Sequence, residues 1–376
     1  MAKTLDEHYG YLSDRVKLDR YQTAIEQVVQ PGHSVLDLGC GTGVLGLMAL
    51  RAGARKVVFI EQSAVIEVAR RTVAAAGFAD RAEFLQGNSF ELALPEPVDL
   101  VVCDHVGYFG FDYGILGLLA DARQRFLKPG GTVIPQQLDL RLAPVETVAG
   151  RQLVHQWQDG SVPDNFTWLV EAAANTRHAI QLAAPELLAD AATLATLELG
   201  DGAAPYLSWQ ANFECTRDAA LDGLAGWFDC RLCDDVEMSN SPLAGESLER
   251  PQAFLPLAAP VTVHTGDRIE ATVLLRHQDQ VTGWIVSLPA AGKRFTYNTF
   301  NGLLLDHDAL ARAQPDRAAR LNQRGLARQL VLSYCDGRRT VAEVQALVQR
   351  DHPALFPSEP ATLSFVAQVL SWDTSE

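Results

Sequence analysis

Residues 35–46 read VLDLGCGTGVLG. Val35–Leu38 form a short apolar run carrying one acid, Asp37, the pattern of a parallel strand buried on both faces. Gly39, Gly41 and Gly43 follow at GxGxG spacing, and VLGLMALRAG then has the period and composition of a helix that stops at Gly53. Glycines at a strand-to-helix turn let the backbone approach a ligand, and the helix start offers free N–H groups. A second apolar run, KVVFI (Lys56–Ile60), ends in Glu61, 24 residues beyond Asp37. Nucleotide folds place there the acid that bonds ribose hydroxyls.

Working outward, the pattern predicts strands near Glu83–Leu85, Leu100–Cys103 and Thr132–Ile134, and helices near Gln62–Ala76 and Ile115–Leu127. Alternating strand and helix implies an α/β, doubly wound parallel sheet with ligands at the carboxyl ends of its strands. CDHVGYFGFDYG (Cys103–Gly114) lies just beyond the fourth of these strands, on the rim where a second substrate should sit. From Gln137 to about Pro289 the chain alternates apolar and polar residues, as in TVHTGDRIEATVLLRH, which fits a β-barrel. The expected organisation is a helical segment over 1–30, a Rossmann-like domain over 31–135, a barrel over 136–289 and a C-terminal module over 290–376.

The chain has 376 residues and a formal net charge of −15, which makes it a poor nucleic-acid binder, since phosphate neutralisation needs a basic surface. The charge is uneven. Residues 309–350 hold eight Arg against three acids, a net +5, which suggests an acidic partner for that segment. Six scattered Cys include one CxxC, Cys230 and Cys233, with no second pair or suitably spaced His to complete a zinc site. No metal is expected. The start, MAKTLDEHYGYL, has no long apolar run, and no stretch approaches the roughly 20 apolar residues of a membrane span. The expectation is a cytoplasmic protein without membrane contact.

Three features favour S-adenosylmethionine (SAM) over a dinucleotide as the cofactor. Asp37 precedes the glycines inside the strand, where it can order the loop and the methionine amine. The spacing lacks the third glycine of GxGxxG. The loop lies downstream of a helical segment. The run resembles the DxGxGxG motif of class I methyltransferases, followed by an acid at the end of the second strand. The resemblance is closer still to the protein arginine methyltransferases: VLDLGCGTGVLGLMALRAGARKVVFIEQS is similar to their SAM-binding run, HYGYLSDRVKLDRYQTAI to their N-terminal helix, and FLKPGGTVIPQQLDL to their link into the barrel. It implies SAM as cofactor and S-adenosylhomocysteine as product. It implies cofactor contacts from Lys17, Asp37, Gly39, Gly41, Gly43, Glu61, Gln62, Asn88, Ser89 and Asp104, with Lys17 standing where the family has the Arg that pairs with the SAM carboxylate.

The acceptor motifs depart from the family. Its hairpin after the fourth strand, in a pattern like SEWMGYxLxYE, holds a guanidinium between two Glu. Here Asp104 falls on the first, Tyr113 on the second, Asp112 is one residue early, and Gly107–Tyr108 keep the GY core. Asp is one methylene shorter than Glu, and Tyr is neutral near pH 7. Aligned on VHTGDRI (Val263–Ile269), the family's Thr-His-Trp loop becomes Leu248, Glu249 and Arg250, and TGW at Thr282–Trp284 is read as a coincidence. The candidate acceptor-facing set is Asp104, His105, Tyr108, Asp112, Tyr113 and Glu249, with Asp104 or His105 as the base.

In the module, Leu326, Leu330, Val331 and Tyr334 space as a helix. Thr340 and Glu343 read as a capping box, Val341, Val344, Leu347 and Val348 as a second stripe, and Leu363–Leu370 as a third helix. LN…G…L…CDGRRTVAEV resembles the pyrroloquinoline quinone biosynthesis protein D domain, a small winged-helix-like unit. That resemblance implies binding of a precursor-peptide leader. Three readings follow: a methyltransferase acting on a side chain of a ribosomally made precursor peptide, an arginine methyltransferase with a shortened acid pair, and a non-catalytic SAM- or peptide-binding protein. The second predicts that Asp112, not Tyr113, faces the pocket. A homodimer is left open, with the Ala- and Leu-rich stretch around Leu182–Leu199 as its candidate arm.

Overall fold

The computed structural model describes residues 2–202, 204–353, 355–356 and 358–374. Met1, Ser375 and Glu376, at the ends of the first and last expected segments, lie outside the described residues, as do three internal positions. The chain opens with α1 (Ala2–Ser13) and α2 (Arg15–Val28). Asp14 caps α2 by accepting from the Lys17 N–H at 3.1 Å. Lys17, Tyr21, Ala24 and Ile25 form the buried stripe of this helix, so helical spacing carries the Lys17 side chain inward with three apolar ones.

The Rossmann-like layer consists of β1 (Ser34–Leu38), α3 (Val44–Arg51), β2 (Lys56–Glu61), α4 (Ile66–Ala75), β3 (Ala82–Gln86), β4 (Val98–Val102), α5 (Ile115–Arg125) and β5 (Leu127–Ile134). All five strands are parallel, in the order β3-β2-β1-β4-β5. The order reverses between β1 and β4, and the crevice outside their carboxyl ends is where such sheets bind ligands. The glycine loop leaves β1 and the Asp104 hairpin leaves β4, so both motifs meet at that point. Every residue of β1 is buried, which explains why the run is apolar apart from Ser34 and Asp37.

The barrel-like domain follows: β6 (Gln137–Val145), α6 (Val148–His155), α7 (Leu169–Ala174), β7 (His178–Ile180), β8 (Ala192–Glu198), β9 (Tyr206–Glu214), β10 (Ala219–Cys233), β11 (Val236–Ser239), β12 (Gln252–Val263), β13 (Arg268–Arg276), β14 (Val281–Leu288) and β15 (Lys293–Asn298). One sheet runs β7-β12-β10-β6-β8 with β11 on β10, and the other runs β15-β14-β13-β9. Along β13 buried and less buried residues alternate, as the pleat requires. One apolar core is continuous from Tyr21 and Leu36 under the parallel sheet to Trp284 and Val286 in the barrel. Cys230 and Cys233 are free, buried thiols on β10.

The boundary expected at 289 is corrected. Pro289–Ala291 is a single 3₁₀ turn closed by Gly292 at φ 61°. It joins β14 to β15, which pair from Gly283↔Asn298 to Leu288↔Lys293. A Pro–Gly punctuation that reads as a linker is a hairpin turn, and the chain divides into Met1–Leu303 and Leu304–Glu376. The candidate dimer arm is corrected too. Leu182, Leu188, Leu194 and Leu199 are buried within the chain's own core, and Ala192–Glu198 is strand β8.

The C-terminal unit holds α8 (His307–Arg312), α9 (Gln323–Ser333), α10 (Val341–Asp351) and α11 (Glu359–Asp373). Its own core is Ala327, Val331, Val344, Val348, Phe365, Val366, Val369 and Leu370. Thr340 and Glu343 make the capping box. Leu326 and Val341, expected in the apolar stripes, are exposed; the inward positions are taken by Ala327, one residue on, and by Val344, three residues on. Among the described residues this unit is helical and has no strand, so the winged form of the expectation is not seen. Among the described residues no helix is long and apolar enough to cross a membrane.

Candidate active site

A cleft of about 890 Å³ opens at the carboxyl ends of β1, β2 and β4. It is lined by the glycine loop, by Glu61 and Gln62 after β2, by Asn88 and Ser89 after β3, by Asp104, His105 and Tyr113 after β4, and by α1 and α2 through Glu7, Tyr11 and Lys17.

Asp37 is buried and accepts the Gly46 N–H at 2.7 Å, which ties the strand end to the first turn of α3. Burial pushes its carboxyl up to about 7, against the pull of that hydrogen bond. A Cβ on Gly46 would stand 2.2 Å from the Phe59 ring, so only glycine allows this closure. Glu61 accepts the Ser63 N–H at 2.8 Å and the Gly41 N–H at 3.3 Å, bracing the glycine loop. Gly39 has φ 69°, and a Cβ there would come 2.0 Å from His105 Cε1. The imidazole therefore packs on the bare loop backbone. It also lies 3.4 Å from Cys103 Sγ, and burial lowers its pKa, which leaves it neutral at neutral pH.

These residues fit SAM. The glycine cradle would be filled by any side chain, buried Asp37 and partly buried Glu61 are the acids that such a ligand's amine and ribose need, and Lys17 is a buried cation held on Asp104 in the same cleft. Bound SAM supplies an electrophilic methyl on a sulfonium. The cleft lining carries Glu7, Asp37, Glu61 and Asp104 against Lys17, an acid excess that favours cationic ligands.

Asp104 is already engaged. Its Oδ2 receives Lys17 Nζ at 2.7 Å. Arg250 Nη2 lies 3.6 Å from Oδ1, with its Nη1 donating to the Val106 carbonyl. Oδ1 itself, though buried, accepts no hydrogen bond. Lys17 Nζ also stands 5.0 Å over the Tyr11 ring, and Tyr21 Oη donates to the Cys103 carbonyl at 3.0 Å, fixing the strand end.

Several expected site residues lie elsewhere. Asp112 is buried outside the cleft lining, where it accepts the Phe109 N–H and pairs with Arg177 Nη2 at 2.8 Å. Arg177 sits over Phe111 and Tyr108, 5.5 and 5.6 Å from their centroids, and donates to Thr282 Oγ1 at 2.8 Å. The shortened acid pair is thus undone by an internal guanidinium, and half-exposed Tyr113 takes the cleft position. Tyr108 lies under Arg177, with its carbonyl held by Asn240, not in the cleft wall. Glu249 is exposed and away from the lining, while its neighbour Arg250 turns inward. Gly43 initiates α3 at φ 77° without lining the cleft. TGW is barrel core: Trp284 is fully buried and donates to the Pro256 carbonyl at 2.8 Å. Lys17, Asp37, Gly39, Gly41, Glu61, Gln62, Asn88, Ser89, Asp104, His105 and Tyr113 come together. Missed from sequence were Arg177, with no local signal, and the turn between β13 and β14, which brings His277, Gln278 and Gln280 to the cleft.

A family model described as a methyltransferase domain matches residues 35–131. Protein arginine N-methyltransferase 1 of Saccharomyces cerevisiae is 29% identical over 289 residues, 71% of this chain and 81% of that protein. Protein arginine N-methyltransferase PRMT10 of Oryza sativa subsp. japonica is 27% identical over 69% of this chain and 78% of its own length. Among solved structures, the Trypanosoma brucei PRMT1 enzyme–prozyme heterotetrameric complex with AdoHcy matches at a TM-score of 0.68 and 20% identity, over 77% of this chain and 96% of that one. The open conformation of Arabidopsis thaliana protein arginine methyltransferase 10 gives 0.67 and 21%, over 78% and 98%. These two likenesses are ones of fold. The methyltransferase-domain match, the curated relatives and the glycine cradle with its acids make the chain a SAM-dependent methyltransferase, and the solved structures give it the architecture of the protein arginine methyltransferases.

Proposed function

We propose that this enzyme methylates a nitrogen of arginine in a peptide or protein, with Asp104 as the acid that receives the guanidinium. The observation that carries this is the buried Oδ1 of Asp104, which accepts no hydrogen bond and has Arg250 Nη2 3.6 Å away, in an acid-rich cleft continuous with the glycine loop. The curated relatives, named as arginine methyltransferases, support it. For the reaction the chain's residues must hold the acceptor nitrogen in line with the methyl, exclude water and take one proton from that nitrogen. Asp104 orients the acceptor, Lys17 and Arg250 keep its carboxylate in place, and neutral His105 is a candidate for the proton. The test is methyl transfer from labelled SAM to a Gly/Arg-rich peptide and to its twin with Lys for Arg. Label in the Arg peptide alone is expected, and label only in the Lys twin overturns the reading.

The expected precursor peptide gains nothing from these relatives. What favours a peptide at the C-terminal unit is a cleft of about 330 Å³ between α9 and α11, with Arg324, Arg328, Phe365 and largely exposed Trp372 in its wall. As a second reading, this unit recruits an acidic segment of the substrate, so that its removal raises the KM of the substrate and not that of SAM. The free thiols suit a reducing, cytoplasmic compartment. A homodimer would use the α6–α7 region, where Val148, Phe166 and Trp168 are exposed, and sedimentation would detect it.

A further inference from the structure

Among the described residues, five buried side-chain polar atoms have no hydrogen-bond partner: Asp104 Oδ1, Asp112 Oδ1, His155 Nε2, Arg177 Nε and Gln280 Oε1. Asp112 and Arg177 face each other as an ion pair. Of the remaining three, two belong to residues that line the cofactor cleft, Asp104 and Gln280, and both atoms are acceptors, Asp104 Oδ1 with Arg250 Nη2 at 3.6 Å, outside hydrogen-bond distance. A buried acceptor without a donor costs free energy, so its persistence calls for an explanation.

Gln280 has a second peculiarity. It is the one non-glycine residue with a left-handed backbone among the described residues, at φ 60°. Such a conformation is unfavourable for a side chain that offers no compensation, and it clusters where the surroundings impose it. The compensation here is local. Gln280 Nε2 donates to the His277 carbonyl at 2.6 Å across the β13–β14 turn. That bond also decides which end of the amide is left over, since the nitrogen is committed and the oxygen is not.

We propose that Gln280 is a specificity-determining contact for the methyl acceptor: with Asp104 Oδ1 it receives the N–H groups of the acceptor guanidinium. One charged and one neutral acceptor, from two different domains, thus replace a pair of carboxylates on one hairpin. Asp112 cannot supply the second acceptor because Arg177 holds it. A guanidinium presents donors along more than one edge of its plane, so two acceptors on separate elements suit it better than one. This inference rests on the arginine reading of the site.

The experiment compares wild type with Gln280→Leu, Gln280→Asn and Gln280→Glu, using a Gly/Arg-rich peptide and labelled SAM, with AdoHcy binding by calorimetry as the check on folding. Gln280→Leu should raise the KM of the peptide about tenfold, the scale of one lost hydrogen bond, with the affinity for AdoHcy unchanged. Gln280→Asn tolerates a left-handed backbone better than Gln yet withdraws the oxygen by one methylene. It should raise the peptide KM without loss of thermal stability. Gln280→Glu should lower the peptide KM and make it more sensitive to salt. A peptide KM equal to wild type in both Gln280→Leu and Gln280→Asn, with AdoHcy still bound, overturns the role of Gln280 while leaving the arginine reading intact. A wild-type enzyme that methylates no arginine overturns that reading and this inference with it.

Discussion

At the scale of single residues, Asp37 and Asp104 are two acids with opposite environments. Asp37 is buried, and burial, helped by the charges of Glu61 and Asp104 against the single Gly46 N–H bond, holds its carboxyl at about 7 against 3.8 in the open chain. The folded, SAM-free protein then binds a proton more readily than the unfolded chain between those values. Stability from this group is full below about 4, falls as pH rises toward about 7, and is flat above. Asp37→Asn should lose that slope, seen in urea midpoints across the window, and should bind SAM more weakly. An unchanged slope would contradict the burial argument. Asp104 instead sits between two buried cations. Asp104→Asn should cost about 3 kcal/mol of stability by leaving Lys17 and Arg250 unpaired, and should lower kcat/KM on arginine by about two orders of magnitude. A stability loss with full turnover would make Asp104 merely structural. Asp37, Gly39 and Glu61 were legible because a strand, a turn and a second strand fix them within one short stretch. Arg177 and Gln280 were not, because a guanidinium on a buried acid and the unpartnered oxygen of the Gln280 amide arise only from packing between segments far apart in the chain.

At the scale of elements, the β1–α3 turn works because two surfaces meet bare backbone there. His105 closes on Gly39 and Phe59 closes on Gly46. Gly39→Ala places a Cβ in the imidazole and in a left-handed conformation that Ala resists. It should weaken AdoHcy binding by more than about tenfold. Adding His105→Gly should restore part of that loss by removing the clash, while the backbone strain remains. Wild-type affinity in Gly39→Ala alone would mean that the loop does not hold the cofactor. The hairpin after β4 shows how far pattern reading carries. Its place on the rim follows from the strand before it. Which of Asp112 and Tyr113 faces the cleft depends on Arg177, contributed from the segment before β7, and on Gly107, where a Cβ would fall 2.4 Å from Asp112. The Pro289–Gly292 turn misled for the opposite reason: its residues punctuate a linker and a hairpin equally well.

At the scale of the whole molecule, the chain holds separate apolar cores in its two units. A chain ending at Leu303 should fold and bind AdoHcy with unchanged affinity, measured by calorimetry. Loss of cofactor binding would show that the two units depend on each other. Fold class was legible from strand and helix alternation, and the barrel from its period of two. The substrate was less so, since the residues of the glycine cradle are contiguous and those proposed to receive the acceptor are assembled from β4, the β13–β14 turn and α2. The most direct test is therefore a structure of the enzyme with AdoHcy and a Gly/Arg-rich peptide. An arginine guanidinium is expected within hydrogen-bond distance of Asp104 Oδ1 and Gln280 Oε1, with Asp112 still on Arg177. A guanidinium bound by Asp112, or one that touches neither Asp104 nor Gln280, would contradict it.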